Sequence, residues 1–347
     1  MKKKILSLIV STLFVFSCAQ STEDDFTDVK KPSLFGNRRI TFNNTGSKAF
    51  TDLVYFNDKW YLTYRDSDSH SLGQDGKIQI FSSFDGIKWT LEQEFFVLDV
   101  DLRDPKFSIN KDILNICIHG SIYKQSKLVG FKDFISQWSK IGWSNLKPIL
   151  LDNKKLSIAK IEGNESWPWR FTWFNDVAYV FGYNPNGIFS LYTSSDGINF
   201  VSKGEYFQKI GGTPTEATIR INPEGDFYCL IRRNNAFALL IKSTNSGETW
   251  ETVSEIPISS LGGPNFLFYK NGLILSGRDN NKVVVCSFNL ENNKFTKLKT
   301  LASGGDCSYP GMVMQEEILW ISYYSGHETT SGSSIYLETL NLKNFDF

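Results

Sequence analysis

The sequence predicts an all-β protein folded as a six-bladed β-propeller. Three observations carry this. One short pattern, an alternating apolar strand followed by a tight turn and a second apolar strand, is written six times along the chain. From one turn to the next the chain advances about 45 to 65 residues, the length of one propeller blade. Six blades of roughly 50 residues use nearly all of the 347 residues, and the even repeat favours one closed ring over two domains.

The repeats run from Thr51 to Arg65, Asp104 to Gly120, Trp169 to Tyr183, Thr215 to Arg233, Gly263 to Arg278 and Tyr309 to Ser325. Their turns are predicted at Asn57-Asp58, Asn110-Lys111-Asp112, Asn175-Asp176, Asn222 to Gly225, Asn271-Gly272 and Glu316-Glu317. Asn, Asp and Gly tolerate the positive φ that two-residue hairpin turns require. The abundance of aromatics, 28 Phe, 14 Tyr and 9 Trp, suits strand-rich packing.

Ahead of the repeats, Met1-Lys2-Lys3-Lys4 supplies a positive region. Ile5 to Phe16 is an apolar run of about 12 residues, too short for a membrane-spanning helix. Val15-Phe16-Ser17-Cys18 resembles a bacterial lipobox. That resemblance implies a lipoprotein signal peptide over 1–17 and a lipidated Cys18 opening a tether over 18–45, polar and acidic from Ala19 to Lys31. The propeller is expected over 46–347. The expected location is the outer membrane of a Gram-negative, Bacteroidetes-like bacterium, on its periplasmic or surface face. The N-terminal lipid is the only expected membrane contact.

Lys and Arg total 37 and so do Asp and Glu, which leaves no basic footprint for nucleic acid. No CxxC pair occurs, and Cys117, Cys229 and Cys286 lie in apolar strand runs, as buried small residues do. His70, His119 and His327 follow the second strands of repeats 1, 2 and 6, which are neighbours in a closed ring. With no carboxylate or thiolate pattern beside them, they read as site-lining or surface residues rather than metal ligands. No metal or cofactor is expected, and the protein is expected to be a monomer.

A second motif recurs in phase with the first. Ser83-Phe-Asp85-Gly86-Ile-Lys-Trp89, Ser194-Ser-Asp196-Gly197-Ile-Asn-Phe200 and Ser243-Thr-Asn245-Ser-Gly247-Glu-Thr249-Trp250 fall in repeats 1, 3 and 4, one strand after the hairpin. They resemble the Asp box, S-x-D-x-G-x-T-W, of bacterial sialidases and related propellers. The first two lack the residue between Asp and Gly, and the third has Asn for Asp. The side chains hold a turn and the aromatic packs between blades, so these aspartates are structural rather than catalytic.

In a propeller, the ends of the inner strands gather around one central mouth, however distant in sequence. Thr51-Asp52, Arg103-Asp104, Arg170, Glu216, Asn265 and Tyr309 stand at first-strand starts. Arg65, His119, Tyr183, Arg232-Arg233, Arg278 and Tyr324 to His327 stand at second-strand ends. Six of only nine arginines fall here, against 28 lysines in the chain. Arginine's planar fork binds a carboxylate with two hydrogen bonds, a geometry lysine does not copy. The bland alternative is structural pairing of these arginines with Asp66, Asp104 or Glu216.

From about Phe50 onward the chain resembles the sialidases, and more closely an uncharacterised branch of sialidase-like lipoproteins marked by AFTDLVYF, YRDSDSH, DLRDPK, GGPN, GGDCSYPG and WISYYSGHE. The resemblance implies an exo-acting glycoside hydrolase that takes a glycan ending in sialic acid or a related acidic sugar. Tyr309 is implied as nucleophile, Glu216 as its base and Asp75 as acid/base. Arg232 and Arg278 are implied as carboxylate binders. Arg233 substitutes if register turns Arg232 away, since adjacent strand residues face opposite sides. A tyrosine nucleophile avoids setting a carboxylate against the anionic anomeric centre. One departure stands out: where sialidases carry F-R-I-P, this chain has Phe50-Thr51-Asp52-Leu53. Arg103, Arg65 or Arg170 is then expected to supply the third arginine. Alternatively the substrate is another sugar, with Asp52, Asp104 and Glu216 as candidates for a carboxylate pair, or the protein is a non-catalytic glycan-binding surface lipoprotein. Trp167, Trp169, Tyr183 and Tyr324 suit sugar stacking under each reading.

Overall fold

The computed structural model describes residues 36–41, 46–152, 162–164, 166–184 and 187–345. They form a six-bladed β-propeller of six sheets, antiparallel except for the short Leu150–Asp152 and Glu162–Gly163 strands, which pair parallel. Blade 1 consists of Ser47–Phe56, Lys59–Ser67, Lys77–Ser83 and Thr90–Phe95. Blade 4 (Pro214–Ile221, Phe227–Arg233, Phe237–Ser243, Glu251–Ser259) and blade 5 (Gly262–Tyr269, Gly272–Asp279, Lys282–Asn289, Phe295–Thr300) repeat that order. Blades 2 and 3 are less regular. The long Ile113–Lys124 strand of blade 2 pairs with Asp101–Asn110 inside and with both Lys127–Phe131 and Phe134–Ser139 outside. The inner strand of blade 3 is split into Trp167–Pro168 and Thr172–Phe174.

Blade 6 closes the ring. Its strands Cys307–Gln315, Ile318–Ser325 and Ser334–Asn341 are joined by Gly36–Arg39, antiparallel to the last of them. This corrects the expected tether over 18–45, because 36–39 is a blade strand. Adding Gly36–Arg39 as the outer strand beside Ser334–Asn341 ties the start of the propeller to its last blade through hydrogen bonds, without a covalent link. The signal segment and Cys18 lie outside the described residues.

The predicted turns fall where Asn and Asp stand. Asn57 and Asp58 have φ of 49° and 59°, and Asn175 and Asp176 have 49° and 62°. The turn expected at Asn271-Gly272 is shifted by one residue. Tyr269 pairs with Gly272, so Lys270-Asn271 is the loop, and Lys270 takes the positive φ of 48°. Gly272 is instead needed inside the strand, where a Cβ would stand 2.3 Å from the Phe288 carbonyl oxygen.

The core is partitioned by blade interface. Six apolar clusters are found among the described residues, each shared by two adjacent blades. The interface between blades 6 and 1 is as apolar as the rest, with Trp60, Leu62 and Tyr64 against Trp320, Tyr324 and Leu337. Polar side chains staple the inner strands across these interfaces. Thr51 donates to the Tyr309 carbonyl, Thr172 to Ile219, Thr218 to Pro264 and Asn265 to Pro310. Buried backbone acceptors near the channel are thereby satisfied.

Successive strands of a blade alternate in direction, so the mouth where inner strands start is opposite the face of the first hairpin turns. The three Ser-x-Asp/Asn segments join third and fourth strands and lie on that opposite face. Asp85 accepts from the Ile87 and Lys88 amides, Asp196 from Ile198 and Asn199, and Asn245 from Thr249. In each, the serine accepts from the glycine amide at 2.9 Å. These are hydrogen-bonded turns away from the mouth, as their sequence implies.

Candidate active site

Five of the six inner strands, those of blades 1, 2, 4, 5 and 6, are bulged where they leave the mouth. The register slips between Ala49 and Asp52, Arg103 and Lys106, Pro214 and Ala217, Gly262 and Asn265, and Ser308 and Gly311. A bulge adds an unpaired residue and re-aims its side chain. Phe50, Asp104, Gly263 and Tyr309 occupy it with φ of 59°, 47°, 61° and 54°. A positive φ is costly for Phe, Asp and Tyr, and it recurs here at the positions that face the mouth.

Tyr309 and Glu216 meet across this mouth. The Tyr309 hydroxyl donates to Glu216 Oε1 at 2.6 Å. Arg232 Nη1 donates to the same oxygen at 2.8 Å, and the Gly263 amide donates to Oε2 at 2.6 Å. Glu216 is 3 % exposed. Burial, then the charges of Glu216 and Asp104, push the Tyr309 phenol well above its usual range, so it is neutral at rest. The ring is held by Phe50 at 5.1 Å, Trp169 at 5.5 Å and Tyr324 at 6.0 Å between centroids.

Cations surround the pair. Coulombic attraction to Glu216 raises the already basic Arg232 further. Lys106, which the sequence reading assigned no role, is buried beneath the site. Its ammonium lies 5.0 Å from the Trp169 ring centre and 5.7 Å from that of Tyr309. Burial lowers its pKa against the raising influence of Asp104 and Asp52. A lysine between Pro105 and Phe107 in the inner strand DPKFSIN was the available signal. Arg103 lies over Phe50 at 4.8 Å and Trp167 at 5.6 Å, with Asp104 at 3.6 Å and Asp101 at 3.7 Å. Asp104 is 4 % exposed with an unbonded Oδ1, and burial raises its pKa.

On the far rim, Arg278 donates to the Cys307 carbonyl at 3.3 Å. It acts electrostatically on Asp306 and Tyr324. Asp306 accepts from Tyr324 at 2.9 Å and pairs with His70 Nδ1 at 2.6 Å. That contact latches the loop between Ser67 and Lys77 across the junction of blades 1 and 6. Asp75 sits in this loop, half-exposed beside Asp99 and Asp101. Burial, then those two charges, raise its carboxyl above the usual range. No direct bond joins Asp75 to Tyr309 or Glu216 among the described residues.

Several expected site residues are committed elsewhere. Arg65 is fully buried, with two bonds to Asp101 Oδ1 at 2.9 and 2.6 Å and one to the Ser69 carbonyl. Arg170 forms a two-pronged pair with Asp52 at 2.8 and 3.0 Å, and Asp52 also accepts from the Phe107 amide. Arg233 faces the outer groove, bonded to Glu255 and the Phe237 carbonyl. Arg65, Arg170, Arg233 and Asp52 therefore do not converge on the mouth. Strand alternation turned Arg232 inward and Arg233 outward. Of the four aromatics expected to stack on sugar, Trp169, Tyr183 and Tyr324 are buried in the wall. Trp167 is half-exposed, stacked between His119 at 3.6 Å and Tyr183 at 5.5 Å.

The histidines do not gather. His119 pairs with buried Asp133 at 2.6 Å, and His327 with Ser325 at 2.9 Å. Among the described residues no group of three or more His, Cys, Asp or Glu side chains is arranged to hold a metal ion. Cys117, Cys229, Cys286 and Cys307 are buried free thiols.

The fold is similar to several solved structures. A protein of unknown function from Dyadobacter fermentans matches with a TM-score of 0.72 at 16 % identity, over 88 % of this chain and 98 % of its own. The Trypanosoma rangeli sialidase in complex with sialic acid matches with a TM-score of 0.66 at 12 % identity, over 84 % of this chain and 54 % of its own. The phage phi92 endosialidase matches with a TM-score of 0.67 at 11 % identity, over 90 % of this chain and 70 % of its own. The chain thus spans little more than half the length of the trypanosomal enzyme. At these identities the likeness is one of fold. No protein-family model and no curated protein matches the chain.

Proposed function

We propose that this protein is an exo-acting, sialidase-like glycoside hydrolase that releases terminal sialic acid or a related acidic sugar from glycans. The observation that carries the reading is the 2.6 Å bond from Tyr309 to a Glu216 carboxylate that also holds Arg232. A phenol kept neutral at rest becomes a nucleophile only if its proton leaves as it attacks, and Glu216 is placed to take it. In the proposed first step, Tyr309 Oη bonds to the anomeric carbon and Glu216 takes the phenol proton. The glycosidic bond breaks, and Asp75 gives its proton to the leaving oxygen. In the second step, Asp75 takes a proton from water. The water oxygen displaces Tyr309, which recovers its proton from Glu216. The raised pKa of Asp75 suits a group that must be protonated for the first step. Arg103, Arg232 and Lys106 act electrostatically on the phenol ring or its charge and offset the negative charge that develops there. Arg278 and the remaining donors of Arg232 hold the sugar carboxylate, with Arg103 and Asp104 toward the sugar's other substituents.

A second reading has its own support. With Arg65 and Arg170 locked in ion pairs, fewer arginines are left for a carboxylate than the sialidase resemblance implies. This favours another sugar as substrate, or glycan binding without turnover. A panel of fluorogenic sialosides and neutral glycosides separates the readings. Hydrolysis of the sialoside supports the first, hydrolysis of another glycoside replaces it, and glycan-array binding without hydrolysis favours a binder. We also propose that Cys18 carries a lipid that anchors the propeller to the outer membrane.

A further inference from the structure

The channel beneath the site holds a second feature, on the opposite face. A cavity of about 470 Å³ opens there, lined by Arg170, Arg220, Trp173, Ser108, Met312 and Met314 among others. Its charges do not balance. Both oxygens of Asp52 are taken by Arg170, and one also by the Phe107 amide. Arg220 has only neutral acceptors, the Phe266 carbonyl at 3.1 Å and Asn265 Oδ1 at 3.0 Å, and no carboxylate within ion-pair distance among the described residues. Arg170 keeps a buried Nε without any hydrogen-bond partner, though the residue is only 4 % exposed. Lys106 lies within electrostatic reach of Arg170, but its charge is answered first by Asp104 and then by Asp52, which leaves Arg220 as the cation without a carboxylate of its own.

A buried guanidinium, Arg170, and a partly buried one, Arg220, sharing one carboxylate are costly, because a charge withdrawn from water needs its own counter-charge. Burial, then the neighbouring Arg170, pulls Arg220 down to about 10. The apolar walls from Leu267, Met312 and Met314 strengthen any electrostatic contact made inside. Planar guanidinium forks suit oxyanions.

We propose that this lower mouth is a binding site for a small oxyanion, held by Arg220 and by the free Nε of Arg170. It is distinct from the catalytic mouth and does not depend on the hydrolase reading. The anion supplies the counter-charge Arg220 lacks and so stabilises the three inner strands that meet there, from blades 3, 4 and 5.

The test uses the full chain with inorganic phosphate as probe. Thermal unfolding is followed while phosphate is titrated at constant ionic strength. At tenfold excess over the dissociation constant the midpoint rises by about 2–3 °C in the wild type. In Arg220→Gln the rise is lost, and sialoside turnover, where the wild type has it, is unchanged. An equal rise in both proteins, or none in the wild type, overturns the proposal. Should Arg220→Gln not fold, calorimetric titration of the wild type with phosphate decides instead. One site per chain supports the proposal and no heat of binding overturns it. Phosphate seated among the catalytic arginines would compete with the sialoside, so competitive inhibition matching the calorimetric affinity also counts against it. If no glycoside is turned over, the hydrolase reading fails while the unfolding and calorimetric results still judge this site.

Discussion

Replacing Tyr309 with phenylalanine removes one atom from the centre of the proposed chemistry. The hydroxyl makes a single bond, to Glu216 Oε1 at 2.6 Å. Glu216 keeps Arg232 at 2.8 Å and the Gly263 amide at 2.6 Å, so its charge stays compensated. The ring contacts with Phe50, Trp169 and Tyr324 are retained, and φ of 54° strains phenylalanine no more than tyrosine. A hydrogen bond to a charged group is worth about 1.5–3 kcal/mol, so the unfolding midpoint falls by only a few degrees. Turnover falls much further, because nothing replaces the nucleophile. A loss of at least about 10³-fold in kcat, some 4 kcal/mol of barrier, is expected on a fluorogenic sialoside. Affinity for an unreactive sialic acid analogue stays within about threefold, since arginines and not the phenol hold the carboxylate. The assay is steady-state hydrolysis beside calorimetric binding of the analogue. A Tyr309→Phe protein with wild-type turnover refutes the nucleophile assignment, and one that loses turnover and analogue binding together refutes the division of roles.

Asp75→Asn leaves activated aryl sialosides turning over but lowers kcat on alkyl-linked ones by about 10²-fold or more, because only a poor leaving group needs the proton. Since burial and the neighbouring aspartates raise the Asp75 pKa, activity is lost as pH rises through that raised value, and the pH–rate profile of the variant lacks this limb. Arg278→Lys keeps the charge but not the fork, so KM for the sialoside rises about tenfold or more with little change in unfolding midpoint. Asp85→Ala tests the outer turns. The Lys88 and Ile87 amides hold the Asp85 carboxyl below its usual range, so its stabilisation is present above about pH 4 and lost as pH falls through the lower folded value. The variant unfolds more readily by about 1 kcal/mol at neutral pH, loses that acid-side slope and retains kcat, measured by denaturant melts at several pH values and by hydrolysis. Cys18→Ser abolishes incorporation of a labelled fatty acid and moves the protein from the membrane fraction to the soluble one.

The parts of the protein legible in its sequence are those set by neighbours along the chain. Alternating apolar residues and Asn-Asp turns specify hairpins through local sterics, and a repeated hairpin specifies a ring because each blade must bury both faces against its neighbours. The meeting of equivalent strand ends placed Tyr309, Glu216 and Arg232 among the residues of one mouth, and the resemblance to sialidases singled them out as a set. The ring alone decided which arginines stay available. Arg65 found Asp101 at 36 residues' separation, and Arg170 found Asp52 at 118. Neither pairing follows from strand period, since each joins residues of different blades, Arg65 and Asp101 from blades 1 and 2, Arg170 and Asp52 from blades 3 and 1. The choice between Arg232 and Arg233 rested on which face of the second strand looks into the mouth, and alternation put Arg232 there, bonded to Glu216. The buried cation Lys106 and the partly buried Arg220 gain their meaning only when the inner strands of several blades gather around them. Local rules act through sterics over a few residues, while buried charge answers to every group the closed ring brings within reach.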